Sequence, residues 1–151
     1  MSFASGRGKR SRSSSAIIAD RPSGYHDLKI DYCLLSGTSV PTGEFLLSCP
    51  FTIGGHRWRI VTYPNGNTPE AAGYVSLRLR LDEDVVAKPV TVQMQFSVMV
   101  EKRALFFLSW KKKAIPTNKA VITFTTSQAE TGYSKFAKRE AMLKFASYVY
   151  C

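Results

Sequence analysis

Histidine occurs only twice in these 151 residues, as His26 and His56, and cysteine three times, as Cys33, Cys49 and Cys151. Neither type has a spacing that metals use: there is no His-x-x-x-His and no Cys-x-x-Cys, so no zinc centre is expected. An odd, widely spaced set of cysteines also argues against a disulfide framework and points to a reducing compartment, cytoplasm or nucleus. Equally absent are a Gly-x-Ser-x-Gly elbow, a Gly-x-x-x-x-Gly-Lys phosphate cradle and a dinucleotide fingerprint, since Gly6 and Gly8 follow no strand. A triad assembled in space around either histidine is the one opening left for catalysis. With so few groups able to act as an acid/base pair, the chain reads as a non-enzyme that needs no cofactor. Long apolar runs are missing too. Ala16-Ile17-Ile18-Ala19 falls far short of a signal-peptide core or a membrane span.

Acid is scarce relative to base, with 11 Asp plus Glu against 21 Lys plus Arg and a net charge of +10. Such a balance attracts nucleic acid, anionic surfaces or acidic protein segments without choosing among them. Four of the cations fall in residues 1–15, which hold no acid and little apolar content. That segment is expected to be a disordered tail, with a solvated role preferred over a nuclear-localisation or RNA-touching patch. Its Ser- and Arg-rich composition leaves an organellar transit peptide as a minor alternative. Residues 16–151 are one domain's worth of chain.

What the sequence has in abundance is alternation. Leu28, Ile30, Tyr32 and Leu34 alternate with Asp27, Lys29, Asp31 and Cys33. Trp58 and Ile60 oppose Arg57, Arg59 and Val61, between a Gly54-Gly55 turn and a Pro64-Asn65-Gly66 turn. In the segment 74–81, Val75, Leu77, Leu79 and Leu81 should face in while Ser76, Arg78 and Arg80 face out. Val90 to Val100 forms the longest alternating row and is predicted as one central strand. Ala104 to Trp110 and Ala120 to Thr126 read as further strands, and Glu44 to Ser48 and Phe51 to Ile53 as short ones. Lys111-Lys112-Lys113 is expected at a hairpin tip, where it blocks edge pairing; beside Trp110 it could instead serve single-stranded nucleic acid. Asp82-Glu83-Asp84 reads as a solvated turn. Only Lys138 to Phe145 has helical composition. Six to eight strands with almost no helix imply an antiparallel sandwich or barrel.

Three ordered blocks sharpen this. Gly54 to Gly66, Tyr74-Val75-Ser76-Leu77 and Gly132-Tyr133-Ser134-Lys135-Phe136 together resemble the MATH domain (meprin and TRAF homology), in the form carried by plant BTB/MATH ubiquitin-ligase adaptors. The resemblance runs from about Ala16 to Tyr150. It implies an all-β, TRAF-like antiparallel sandwich of seven to eight strands with one short C-terminal helix. It also implies a non-catalytic module that docks short Ser/Thr-rich degrons of protein substrates for a cullin ligase. The cullin link would run through a BTB domain, which the chain as far as Cys151 is expected to lack. Carried over position by position, the peptide-binding residues are Arg78, Met94, Phe124, Thr131, Tyr133, Ser134 and Lys135. Thr131 stands where the family usually has tryptophan and Arg78 where it commonly has an aromatic, and an arginine there could favour acidic or phosphorylated segments. The bland readings are core packing for Met94, a solvated arginine for Arg78 and a core anchor for Tyr133; Trp58, Leu77 and Phe136 are core residues. The last strand expected after Ser147-Tyr148-Val149 is missing, which predicts a destabilised or partner-dependent fold. A basic nucleic-acid-binding sandwich, and a competitor that holds substrates without delivering them, are the alternative functions. No membrane partner is expected.

Overall fold

The computed structural model describes residues 22–24, 26, 28, 30, 35–36, 40–103, 109–116 and 119–146. Among them run nine strands and an eight-residue α-helix, β1 (Leu46–Leu47), β2 (Phe51–Ile53), β3 (His56–Tyr63), β4 (Tyr74–Leu81), β5 (Val90–Met94), β6 (Ser97–Arg103), β7 (Ser109–Pro116), β8 (Ala120–Phe124), β9 (Glu130–Lys138) and α1 (Arg139–Ala146), with a 3-10 turn at Pro69–Ala71 and helical backbone at residues 35–36. All pairings are antiparallel. The main sheet has the order β1-β3-β4-β9, with β2 also paired to β3, while β5–β8 and β6–β7 form separate two-stranded ribbons.

Turn chemistry sets the register of the main sheet. Gly54 and Gly55, at φ of 64° and 78°, form a two-residue connection that places Ile53 opposite His56 and Phe51 opposite Trp58. Gly66, at φ of 82°, closes the turn after β3 by donating its N–H to the Tyr63 carbonyl. β3 and β4 then pair with Trp58 opposite Leu81, Ile60 opposite Leu79 and Thr62 opposite Leu77. Residues directly opposite share a face, so these six line one side of the sheet.

Two apolar clusters fill that side. At one end Trp58, Leu81 and Phe124 are buried together, with Val90 and Val92 of β5 and Ile122 of β8 packed against them. Trp58 and Phe124 meet edge-on at 5.1 Å between ring centroids, an arrangement aromatic pairs favour. This is where the β5–β8 ribbon lies on the main sheet as a second layer. At the other end Ile60, Val75 and Leu77 meet Phe136 and Ala137 of β9, Met142 of α1, and Leu35. Leu28 and Ile30 also pack there, in keeping with the alternation read between Leu28 and Leu34; Asp27, Lys29 and 31–34 lie outside the described residues.

Several expectations are corrected. The row from Val90 to Val100 is broken at Gln95-Phe96 into β5 and β6. There Phe96 sits 6.1 Å from the ring of Tyr133 and 6.2 Å from that of Phe136, so aromatic packing onto β9 accompanies the interruption. Lys111-Lys112-Lys113 is not a hairpin tip but part of β7, with Lys111 opposite Glu101 and Lys112 opposite Val100. Residues 104–108 of the expected apolar strand, the 1–15 tail and the segment 147–149 lie outside the described residues. Ser76 faces away from the apolar side as expected, yet is fully buried. Its Oγ accepts the Asn67 N–H at 3.0 Å and donates to the Ser134 carbonyl at 2.5 Å, pinning the β4–β9 pair. Asp82 and Glu83 are not a solvated turn: they bind arginines and His56 respectively.

Candidate peptide-binding face

The opposite side of the main sheet carries the charge. Odd positions of β3 and even positions of β4 meet across it, with Arg59 opposite Arg80, Val61 opposite Arg78 and Tyr63 opposite Ser76. β9 continues the rows, with Gly132 beside Arg78 and Glu130 beside Arg80. Like charges directly opposite one another repel, and each arginine of the Arg59/Arg80 pair finds a carboxylate on its far side. Arg59 donates Nε–H to Asp82 at 2.8 Å and Nη1–H to the Ser48 carbonyl at 3.1 Å. Arg78 and Arg80 both donate to Glu130, each through Nε–H at 2.8 Å, to different carboxylate oxygens. Arg57 lies 3.0 Å from Asp82.

Four guanidinium groups therefore share two carboxylates. The Arg59 hydrogen bond, reinforced by the charges of Arg59 and Arg57, pulls the Asp82 carboxyl below the ordinary aspartate value. Tyr63, beside the same cluster, has its phenol pushed up by burial first and by Glu130 second, against the opposing pull of Arg78 and Arg80. Phe45 forms an apolar rim: its ring is tilted against Tyr63 at 5.6 Å, the Arg80 guanidinium carbon stands 5.6 Å above it, and it is 44% exposed. Val61, between Arg78 and Leu47 in register, is fully buried beneath the charges.

Gly132 makes this possible. A Cβ there would run into the backbone of Leu77 and Arg78. The bare position leaves Arg78 clear to reach Glu130 on the neighbouring strand.

The seven residues singled out in sequence do not converge on one depression. Arg78 is on the charged face, with 24% of its side chain exposed. Thr131 and Tyr133 are half-buried and pair with Leu79 and Leu77, on the apolar side. Ser134 offers its carbonyl to Ser76. Lys135 is exposed, its ammonium 5.4 Å from the Tyr74 ring centroid. Phe124 is fully buried and Met94 is 9% exposed, both at the inner surface of the second layer, so they serve packing in this structure. Arg80, Glu130, Gly132, Tyr63 and Phe45 were missed. The equal parity of Arg78 and Arg80 was a visible signal for the first; Glu130 lies 52 residues from Arg78 and is joined to it only by register. Among the described residues no group of three or more His, Cys, Asp or Glu could hold a metal ion, and no helix is long and apolar enough to cross a membrane.

Among the described residues, two layers of antiparallel strands with little helix define a β-sandwich domain. The chain belongs to the MATH domain family, whose model matches residues 25–150. It is similar to the BTB/POZ and MATH domain-containing protein 6 of Arabidopsis thaliana, 35% identical over 101 residues, covering 66% of this chain and 20% of that protein. Protein 3 of the same description in that plant is 36% identical over 72 residues, 46% of this chain and 17% of the relative. The chain thus spans about a fifth of the length of these relatives or less. Membership makes it a protein-interaction module of the adaptor type.

Proposed function

We propose that this domain captures short extended segments of protein substrates, Ser/Thr-rich or acidic, by adding them as a strand beside β9. In plant relatives that carry a BTB domain, the capture would feed a cullin ubiquitin ligase. The observation that carries the reading is the position of β9: it is the last strand of the main sheet, and no described strand runs along its far side. Strand addition draws affinity from backbone hydrogen bonds and selectivity from alternate side chains. On β9 those alternate positions are Thr131 and Tyr133 on one side and Gly132 on the other, with exposed Lys135 further along.

Peptides recovered from a degenerate nine-residue pool test this when resynthesised with N-methyl groups at single positions. An added strand loses affinity at every second position, whereas a ligand held by side chains alone shows no such period. Lys135→Glu should weaken acidic peptides without altering the melt.

A basic nucleic-acid-binding role is the second reading, supported by the β6–β7 ribbon. Lys102, Arg103, Lys111, Lys112 and Lys113 stand there against the single acid Glu101. Salt-dependent binding of a single-stranded oligonucleotide that Lys111→Glu abolishes would favour it.

A further inference from the structure

The charged face is one guanidinium pair too rich for the carboxylates that serve it. Arg57 and Arg59 share Asp82, and Arg78 and Arg80 share Glu130. Each trio keeps one uncompensated positive charge, and the two trios abut where Arg59 stands opposite Arg80. A surface that only needed to be soluble would not press these cations together, because the contact costs free energy unless an anion sits on it. The excess of two is also the charge of one phosphoryl dianion, about −1.5 to −2 near neutral pH. Guanidinium forks match phosphate oxygens in geometry as well as charge.

We infer that this face reads phosphorylated serine or threonine in the docked segment, with Arg78 and Arg80 as the phosphate-binding residues. The inference rests on the strand-addition reading above and names its substrate class. Side chains of a strand added beside β9 alternate between the two faces of the sheet. One that points to the charged face next to Gly132 finds no side chain between itself and Arg78. β4 and the added strand would be about 10 Å apart, a span that an extended arginine from one side and a phosphoryl group from the other close together. Arg78 and Arg80 would then exchange Glu130, in whole or part, for the phosphate.

The test uses the full chain, immobilised, and three nine-residue pools that differ only at a fixed central position: phosphothreonine, threonine or glutamate. The expected result is retention of the phosphothreonine pool about tenfold above the threonine pool, with glutamate between them. Arg78→Gln should erase that preference, bringing phosphothreonine-pool retention down to that of the threonine pool on the same variant. Because an arginine variant could fail through its fold, Glu130→Gln supplies the converse. It frees both arginines and should raise phosphothreonine retention, a gain that a damaged sheet would not give. Equal retention of the threonine and phosphothreonine pools overturns the inference and leaves strand addition standing. Retention of no pool overturns both. A phosphothreonine preference untouched by Arg78→Gln and Glu130→Gln, or fully competed by equimolar inorganic phosphate, also overturns it.

Discussion

The two faces of the main sheet obey the same alternation and are built by opposite physics. On the inner face Trp58, Ile60, Leu77 and Leu81 are sorted by hydrophobicity, and almost any apolar residue of similar size would satisfy them. On the outer face Arg59, Arg78 and Arg80 are sorted by partner, and each needs a particular carboxylate at about 2.8 Å. The inner face therefore holds the domain together, while the outer face can be rearranged at little cost in stability. A surface of exchangeable ion pairs suits recognition.

The sharpest way to break this contrast is to truncate the inner face. Phe124 is fully buried between Trp58 and Leu81 and joins the second layer to the first. Phe124→Ala should cost about 3–5 kcal/mol through lost transfer energy and an unfilled cavity, read as a lower urea midpoint with an unchanged slope. Stability within about 1 kcal/mol of the wild type would refute the placement of that layer. Gly132→Ala comes next. Its methyl meets the backbone of Leu77 and Arg78, which cannot rotate aside, so a loss of about 1–3 kcal/mol is expected. Faster amide exchange confined to β4 and β9 would show where the strain falls.

How much of each face was legible in the sequence follows from the range of the forces. Trp58 and Leu77 are read correctly as core because period-2 alternation is local and needs no knowledge of the partner strand. The Gly54-Gly55 hairpin is legible for the same reason. The break of the Val90–Val100 row was not: nothing within it marks Gln95-Phe96, and the rings that Phe96 meets are some forty residues away on β9. Glu130 and Gly132 went unread because their roles exist only once β9 is in register with β4. Thr131, Tyr133, Ser134 and Lys135 come together from one motif of the family resemblance, whereas a strand sends neighbours to opposite faces.

A smaller effect of opposite sign tests the inner face from within. Thr62 pairs with Leu77 there, and its buried Oγ1 has no hydrogen-bond partner among the described residues. Thr62→Val keeps the shape and removes an unsatisfied hydroxyl, so it should stabilise the domain by about 1 kcal/mol. Loss of stability would mean that the hydroxyl is served in solution. On the outer face Arg80→Ala should change stability by less than about 1 kcal/mol, since it removes a half-exposed ion pair. A cost as large as that of Phe124→Ala would erase the distinction between the faces.

The smallest expected effect belongs to acid. The carboxyl of Asp82 titrates below its ordinary value of 3.8 because Arg59 donates to it and the charges of Arg59 and Arg57 favour the anion. A group whose folded value is depressed adds stability that is fully present above the unfolded value and is lost as pH falls through the folded one. Asp82→Asn should therefore lower the melting temperature slightly at neutral pH, and the deficit should close as both proteins are taken below pH 3.8. Added salt should narrow it at neutral pH, since the pair is partly exposed. If the gap between Asp82→Asn and the wild type instead stays constant through the acid range, the Asp82 carboxylate is not held by Arg59 in solution. Two arginines would then face each other across β3 and β4 with one fewer counter-charge, and the outer face would be poorer in anion than the geometry describes.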